Sequence, residues 1–211
     1  MSDVTARIAI SLDGFVAGPN QGLENPVGEG GERLHEWMFE TASWRRQEGQ
    51  SGGEQNADSE VLDEVVKDIG AYIMGRNMFA PGRGQWDLGW KGWWGDDPPY
   101  HVPVYVLTHY PRQPLPMAGG TIFYFVTDGI DSALRQARAA AGVRKVHVAG
   151  GARTIQQYLA AREIDELYLH LVPIILGAGE RLLEGVGDLR LQPEKVVSSP
   201  RVTHLKYRVL R

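Results

Sequence analysis

Four segments carry residue types that could do chemistry. In the first, KVHVAGGART (145–154), an apolar run leads into Gly150-Gly151 and then toward a helix start. Glycines let the backbone approach a ligand closely, and the free N–H groups and positive end of a helix favour phosphate. A plain strand-to-helix turn would be spelled the same way. In the second, AYIMGR (71–76), Gly75 and Arg76 close a short apolar run. That puts a guanidinium at a strand end, where open α/β sheets bind ligands; a solvated arginine beside a turn is the alternative. In the third, VYVLTH (104–109), Thr108 and His109 offer a hydroxyl and an imidazole at another strand end. Singly, each is ordinary strand-end polarity; together, three strand ends carry donors suited to one polyanionic nucleotide.

The fourth segment, IAISLDGFVAG (8–18), sets Asp13 beside Gly14. Asp13 could act as a general acid or base, or anchor a ligand. The plainer alternative is an Asp-Gly turn whose carboxylate bonds local N–H groups. Other signals are weaker. The six histidines show no HExxH or related spacing, so no metal site is expected. No G-x-S-x-G elbow and no P-loop occur. Trp86, Trp90, Trp93 and Trp94 could stack on a planar ring or sugar, or could pack a long loop or a dimer interface.

The elements that must hold these groups follow from hydrophobic spacing. Residues 4–12 read as a buried strand, with 15–18 a short extended continuation. Leu34, Trp37, Met38 and Trp44 fall near helical spacing over 32–46. Residues 59–69 are amphipathic, with Gly70 where a C′ glycine belongs. Strand-like runs at 71–74, 102–108, 122–126, 144–149 and 166–172 are interleaved with helical ones at 131–141 and 153–161. The stretch 80–101 is long and irregular. Residues 189–197 and 202–210 read as a closing antiparallel pair. This alternation predicts an α/β fold, parallel strands with crossover helices and a mixed C-terminal edge.

Composition excludes several classes. With 211 residues, 43% hydrophobic and 23% charged, the chain is globular and fits a single domain over 1–211. It has no cysteine, hence no disulfide scaffold, thiolate metal site or cysteine nucleophile. A net charge of -4 gives no pull toward nucleic acid or anionic membrane. No 18-residue apolar run and no signal-peptide pattern is visible, so the expected address is the cytoplasm.

In this order, the segments SLDGFVAG, AYIMGR, VYVLT, VHVAGG and LYLHLVPIILGAG resemble the dihydrofolate reductase-like superfamily. They are most similar to its branch related to the reductase domain of riboflavin biosynthesis. The resemblance spans nearly the whole chain. It implies a three-layer α/β architecture, with a mixed, mainly parallel sheet of about eight strands between helices and NADPH lying across the strand ends. It places Gly75, Arg76 and Asn77 near the adenosine phosphates, and Thr108 and His109 beside the 2′-phosphate. Gly150, Gly151, Ala152 and Thr154 would hold the pyrophosphate, and Ala9, Ile10, Ala17 and Gly18 would border the nicotinamide. Asp13 is the first candidate near the reacting centre, with Glu36 and His35 as alternatives. The implied activity is hydride transfer to a C=N or C=O group of a small heterocyclic or sugar-linked substrate, as in 5-amino-6-(5-phosphoribosylamino)uracil reduction. The implied assembly is a homodimer. A catalytically inactive nucleotide-binding module of the same fold is the alternative; a ring- or sugar-binding protein built on the tryptophan stretch is a third. Two departures stand out: Met78 replaces a threonine common in the family, and Ala149 replaces the acid that precedes the glycine pair in the riboflavin-pathway reductases.

Overall fold

Continuous apolar runs become buried strands, and 3.6-residue spacing becomes helices laid over them. In the computed structural model, which describes residues 2–211, the elements in chain order are β1 (Val4–Ser11), β2 (Phe15–Ala17), α1 (Glu36–Phe39), α2 (Ala42–Gln47), α3 (Ala57–Val66), β3 (Ile69–Gly75), α4 (Arg76–Phe79), β4 (Pro103–Leu107), β5 (Leu115–Pro116), β6 (Ile122–Val126), α5 (Ile130–Ala141), β7 (Lys145–Gly150), α6 (Ala152–Ala160), β8 (Glu166–Val172), β9 (Glu180–Arg181), β10 (Arg190–Ser198) and β11 (Thr203–Leu210). Nine strands form one sheet in the order β10-β11-β8-β1-β7-β3-β4-β6-β5, and β2 pairs with β9 in a second, small sheet. This is the mainly parallel α/β arrangement that the alternation predicts, with nine strands in the large sheet. Two compact units make up the chain.

The first unit comprises residues 2–6 and Asp68–Ile164. Its ladder is parallel from β1 through β7, β3 and β4 to β6, with β5 antiparallel at the edge. Met74, Phe79, Val104, Val106 and Phe123 form its core. Trp86, Trp90 and Trp94 pack against that core, so the irregular 80–101 stretch is an aromatic cover rather than a row of presented rings. Gly70 is not a helix cap. α3 ends at Val66, the chain turns through Asp68 at φ 60, and Gly70 lies inside β3. An added Cβ there would come 2.7 Å from the Ala141 Cα of α5, so the glycine lets helix and strand touch.

The second unit comprises Arg7–Lys67 and Asp165–Arg211. In it β11 pairs antiparallel with both β8 and β10, setting Leu205 opposite Leu169 and Val196. Ala9, Leu34, Trp37, Leu62, Val172 and Val202 form a core. The helix expected over 32–46 is broken at Thr41, which is extended (φ -72, ψ 147) and makes a parallel bridge to Glu54. Its hydroxyl donates to Met38 O at 2.6 Å and accepts from Trp44 N at 3.2 Å, ending one turn and capping α2. No helix among the described residues is long and apolar enough to cross a membrane.

Candidate functional site

The register of the first unit decides which strand ends meet. Gly75 pairs with Leu107, so Arg76 and Thr108 follow side by side. Met74 pairs with Gly150, which sets Gly75 beside the glycine pair. A Cβ on Gly75 would lie 2.5 Å from Thr154 Oγ1 and 3.7 Å from both Gly150 O and Gly151 N. Only a glycine leaves that cleft open. The Gly150–Gly151 peptide is cis, and Gly150 has φ 134. α6 starts at Ala152 with no side-chain cap and no acidic residue in its first turn. Its leading N–H groups and positive dipole end therefore have no competing carboxylate.

Arg76 lies against the aromatic cover. Its guanidinium sits 3.9 Å from the centroid of the Trp86 ring, and its Nη1 donates to Gly84 O. Its Nε is buried without a hydrogen-bond partner. Trp86 Nε1 donates to Tyr110 O at 2.7 Å. Thr108 is buried; its N–H donates to Val126 O and its hydroxyl accepts from Tyr110 N at 3.1 Å. Asn77 and His109 are exposed. Backbone donors, a guanidinium and small residues at three strand ends fit the phosphates of a dinucleotide.

In the second unit Asp13 is fully occupied. Its carboxylate accepts from Ser11 Oγ at 2.6 Å, Gly177 N at 2.7 Å and Leu176 N at 3.2 Å. These bonds, Ser11 first, hold its pKa down to about 2. Arg181 Nη1 donates to Asp13 O at 3.1 Å, with its guanidinium over the Phe15 ring. Asp13 thus fastens the 173–179 loop to the β1–β2 turn. Ala9 and Ile10 lie on β1, Ala17 ends β2 and Gly18 follows; all four are buried. His35 precedes α1, and burial, helped by Arg7, lowers its pKa to about 4. Glu36 is exposed on the first turn of α1. No hydrogen bond or ion pair among the described residues joins Asp13 to His35 or Glu36.

A family model of the RibD C-terminal domain matches residues 2–205. The chain belongs to that family. No curated protein matches it. A Shewanella sp. PV-4 protein ascribed to riboflavin biosynthesis shares its fold over 100% of both chains, at 22% identity and a TM-score of 0.64. The Saccharomyces cerevisiae riboflavin biosynthesis reductase Rib7 aligns over 99% of this chain and 90% of its own, with 10% identity and a TM-score of 0.57. A Thermotoga maritima diaminohydroxyphosphoribosylaminopyrimidine deaminase/5-amino-6-(5-phosphoribosylamino)uracil reductase aligns over 99% of this chain but 57% of its own length (13% identity, TM-score 0.56).

In this RibD C-terminal domain the phosphate-side candidates of the first unit, Gly75, Arg76, Asn77, Thr108, His109, Gly150, Gly151, Ala152 and Thr154, stand at the ends of three neighbouring strands and the helices that follow them. The proton candidates all belong to the second unit, Asp13 in the β1–β2 turn and His35 and Glu36 as neighbours at the start of α1. Three further contributors lie outside the candidate residues singled out from the sequence. Ser11 bonds both Asp13 and Phe15 N, and its signal was the Ser-x-Asp pair at a strand end. Gly84 and Tyr110 help place Arg76 and Trp86 from loops without periodicity.

Proposed function

We propose that this chain is an NADPH-dependent reductase acting on a C=N or C=O group of a small heterocyclic, sugar-linked substrate, with a phosphoribosylaminouracil as the leading acceptor. Membership of the RibD C-terminal domain family supports a reductase, and the name of the Thermotoga relative motivates the acceptor. The observation that carries the reading is the register that aligns Gly75-Arg76, Thr108 and Gly150-Gly151 at adjacent strand ends. NADPH, when bound, supplies the hydride to the acceptor carbon, and the acceptor heteroatom takes up a proton. The protein's share is positioning and exclusion of water. The glycine pair and the start of α6, with Ala152 and Thr154, hold the pyrophosphate. Gly75, Arg76 and Asn77 face the adenosine phosphates, and Thr108 and His109 the 2′-phosphate. Ala9, Ile10, Ala17 and Gly18 carry the nicotinamide border within the second unit. Asp13, ionised and fully bonded, positions the 173–179 loop. His35 is neutral at pH 7, and it remains a proton candidate with Glu36. Assembly as a homodimer belongs to the same reading, and sedimentation at twice the chain mass is its check.

Calorimetric titration tests the cofactor. NADPH should bind in the micromolar range, NADH about tenfold or more weakly, and Arg76→Ala should cost NADPH roughly tenfold. No heat from either nucleotide at about 1 mM overturns the reading. Binding without oxidation of NADPH by any acceptor of this C=N or C=O class, a phosphoribosylaminouracil first among them, leaves only the inactive nucleotide-binding module.

A further inference from the structure

Two guanidinium groups of the first unit have no carboxylate to answer them. No ion pair among the described residues involves Arg76 or Arg112, and burial lowers the pKa of both. Each is a cation held partly out of water without a counter-ion, which is costly unless other groups stabilise it. The aromatic cover and its carbonyls do so, in different ways for the two. Arg112 is spent on the loop. Its Nη2 donates to Leu88 O at 3.2 Å and Trp90 O at 2.8 Å, and its guanidinium carbon lies 5.1 Å from the centroid of the Phe125 ring. Arg76 is only partly spent. Its Nη1 donates to Gly84 O, its Nε is buried without a partner, and its Nη2 bonds no described residue and is not enclosed. One edge of the Arg76 fork is therefore open.

Trp86 is the surface on which Arg76 rests, and the indole is fixed independently of Arg76. Phe79 and Phe125 meet it edge-on, with ring centroids at 5.8 and 5.1 Å. Its Nε1 donates to Tyr110 O at 2.7 Å, and the Tyr110 N–H donates in turn to the Thr108 hydroxyl. The ring is thus tied to the end of β4, the strand end that the register sets beside Arg76. Arg112 fastens residues 88 and 90 of the same loop, so the stretch that carries Trp86 is held on both sides. An indole face steadies a guanidinium and leaves its N–H edge directed outward. A salt bridge from the protein would have used that edge and cancelled the charge.

We propose that Trp86 is a positioning residue that sets the preference for a 2′-phosphate. Its ring face holds the Arg76 guanidinium at the end of β3, beside Thr108, with the charge uncompensated and one edge open to a doubly charged phosphate monoester. The inference rests on the cofactor reading above and adds to it the group that separates the two nicotinamide nucleotides. It lies wholly within the first unit. A tryptophan that only packed the loop would support both nucleotides equally; one that acts through Arg76 supports only the one with the extra phosphate.

The test is calorimetric titration of the full chain with adenosine 2′,5′-bisphosphate and adenosine 5′-monophosphate. The native chain should bind the bisphosphate about tenfold or more tightly than the monophosphate. Trp86→Leu, which keeps apolar bulk without a ring face, should cut that ratio about three- to tenfold and leave the monophosphate within about twofold. Trp86→Phe, which keeps a face but loses the bond to Tyr110, should hold the ratio within about threefold. Adding Trp86→Leu to Arg76→Ala should lower the ratio no further, because the first acts through the second. Parallel losses for both nucleotides, an unchanged ratio in Trp86→Leu, additive effects of the two substitutions, or no preference in the native chain overturn the proposal. A native chain that prefers the bisphosphate yet takes no NADPH overturns the cofactor reading alone. Should Trp86→Leu fail to fold, the Arg76 Nε–H resonance of the native chain decides. The indole ring current holds it upfield, and it should stay there in the bisphosphate complex; a return to the ordinary position means that Arg76 leaves the ring to bind, which overturns the proposal.

Discussion

Asp13 accepts one hydroxyl and two backbone N–H groups, so its ionised form is favoured in the folded chain. Its pKa falls from 3.8 to about 2. A depressed carboxylate contributes stability that is present above its unfolded pKa and is lost as pH falls through the folded one. The Gly177 amide should therefore lose protection from hydrogen exchange between about pH 4 and pH 2, and Asp13→Asn should speed that exchange roughly tenfold at neutral pH and flatten the pH step. His35 has the same direction of shift with the opposite charge type. Its folded pKa of about 4 lies below 6.5, so the unfolded chain binds the proton more readily. Stability should decline as pH falls from 6.5 toward 4 and then level off. His35→Gln should remove that slope from the urea midpoints measured across the same range.

Gly75 is where element packing and the candidate site coincide. An added Cβ would press on Thr154 Oγ1 and through it on the start of α6. Gly75→Ala should cost about 1–3 kcal/mol and weaken NADPH binding, while Thr154→Ala in the same chain should restore much of the stability. Denaturation of the two single variants and the double variant measures this coupling. The strand ends around Gly75 were legible because each sits after a short apolar run, a local pattern. The break at Thr41 was not, because it depends on a bridge to Glu54, thirteen positions on. Gly70 was misread as a cap because a glycine after an amphipathic run fits two roles, and only the proximity of Ala141 separates them. The hydrogen-bonded chain Asp58–His204–His170 of the second unit joins residues up to 146 positions apart, and no spacing rule reaches that far.

Neither compact unit is one continuous stretch of chain. The first draws residues 2–6 from the start and Asp68–Ile164 from the middle; the second draws Arg7–Lys67 and everything from Asp165 onward. In the first unit β1 lies beside β7, pairing Val4 with Val146 and Ala6 with Val148, and Val4 and Ala6 are fully buried. Contacts this distant in sequence slow folding, so refolding should take milliseconds to seconds by stopped flow. The chain order also sets a timetable during synthesis. Once residue 164 has cleared the ribosome, every piece of the first unit exists, whereas the second still lacks β11, the partner of both β8 and β10. Arrest-peptide force profiling should register the first unit pulling on the nascent chain first, and the second only after β11 has emerged.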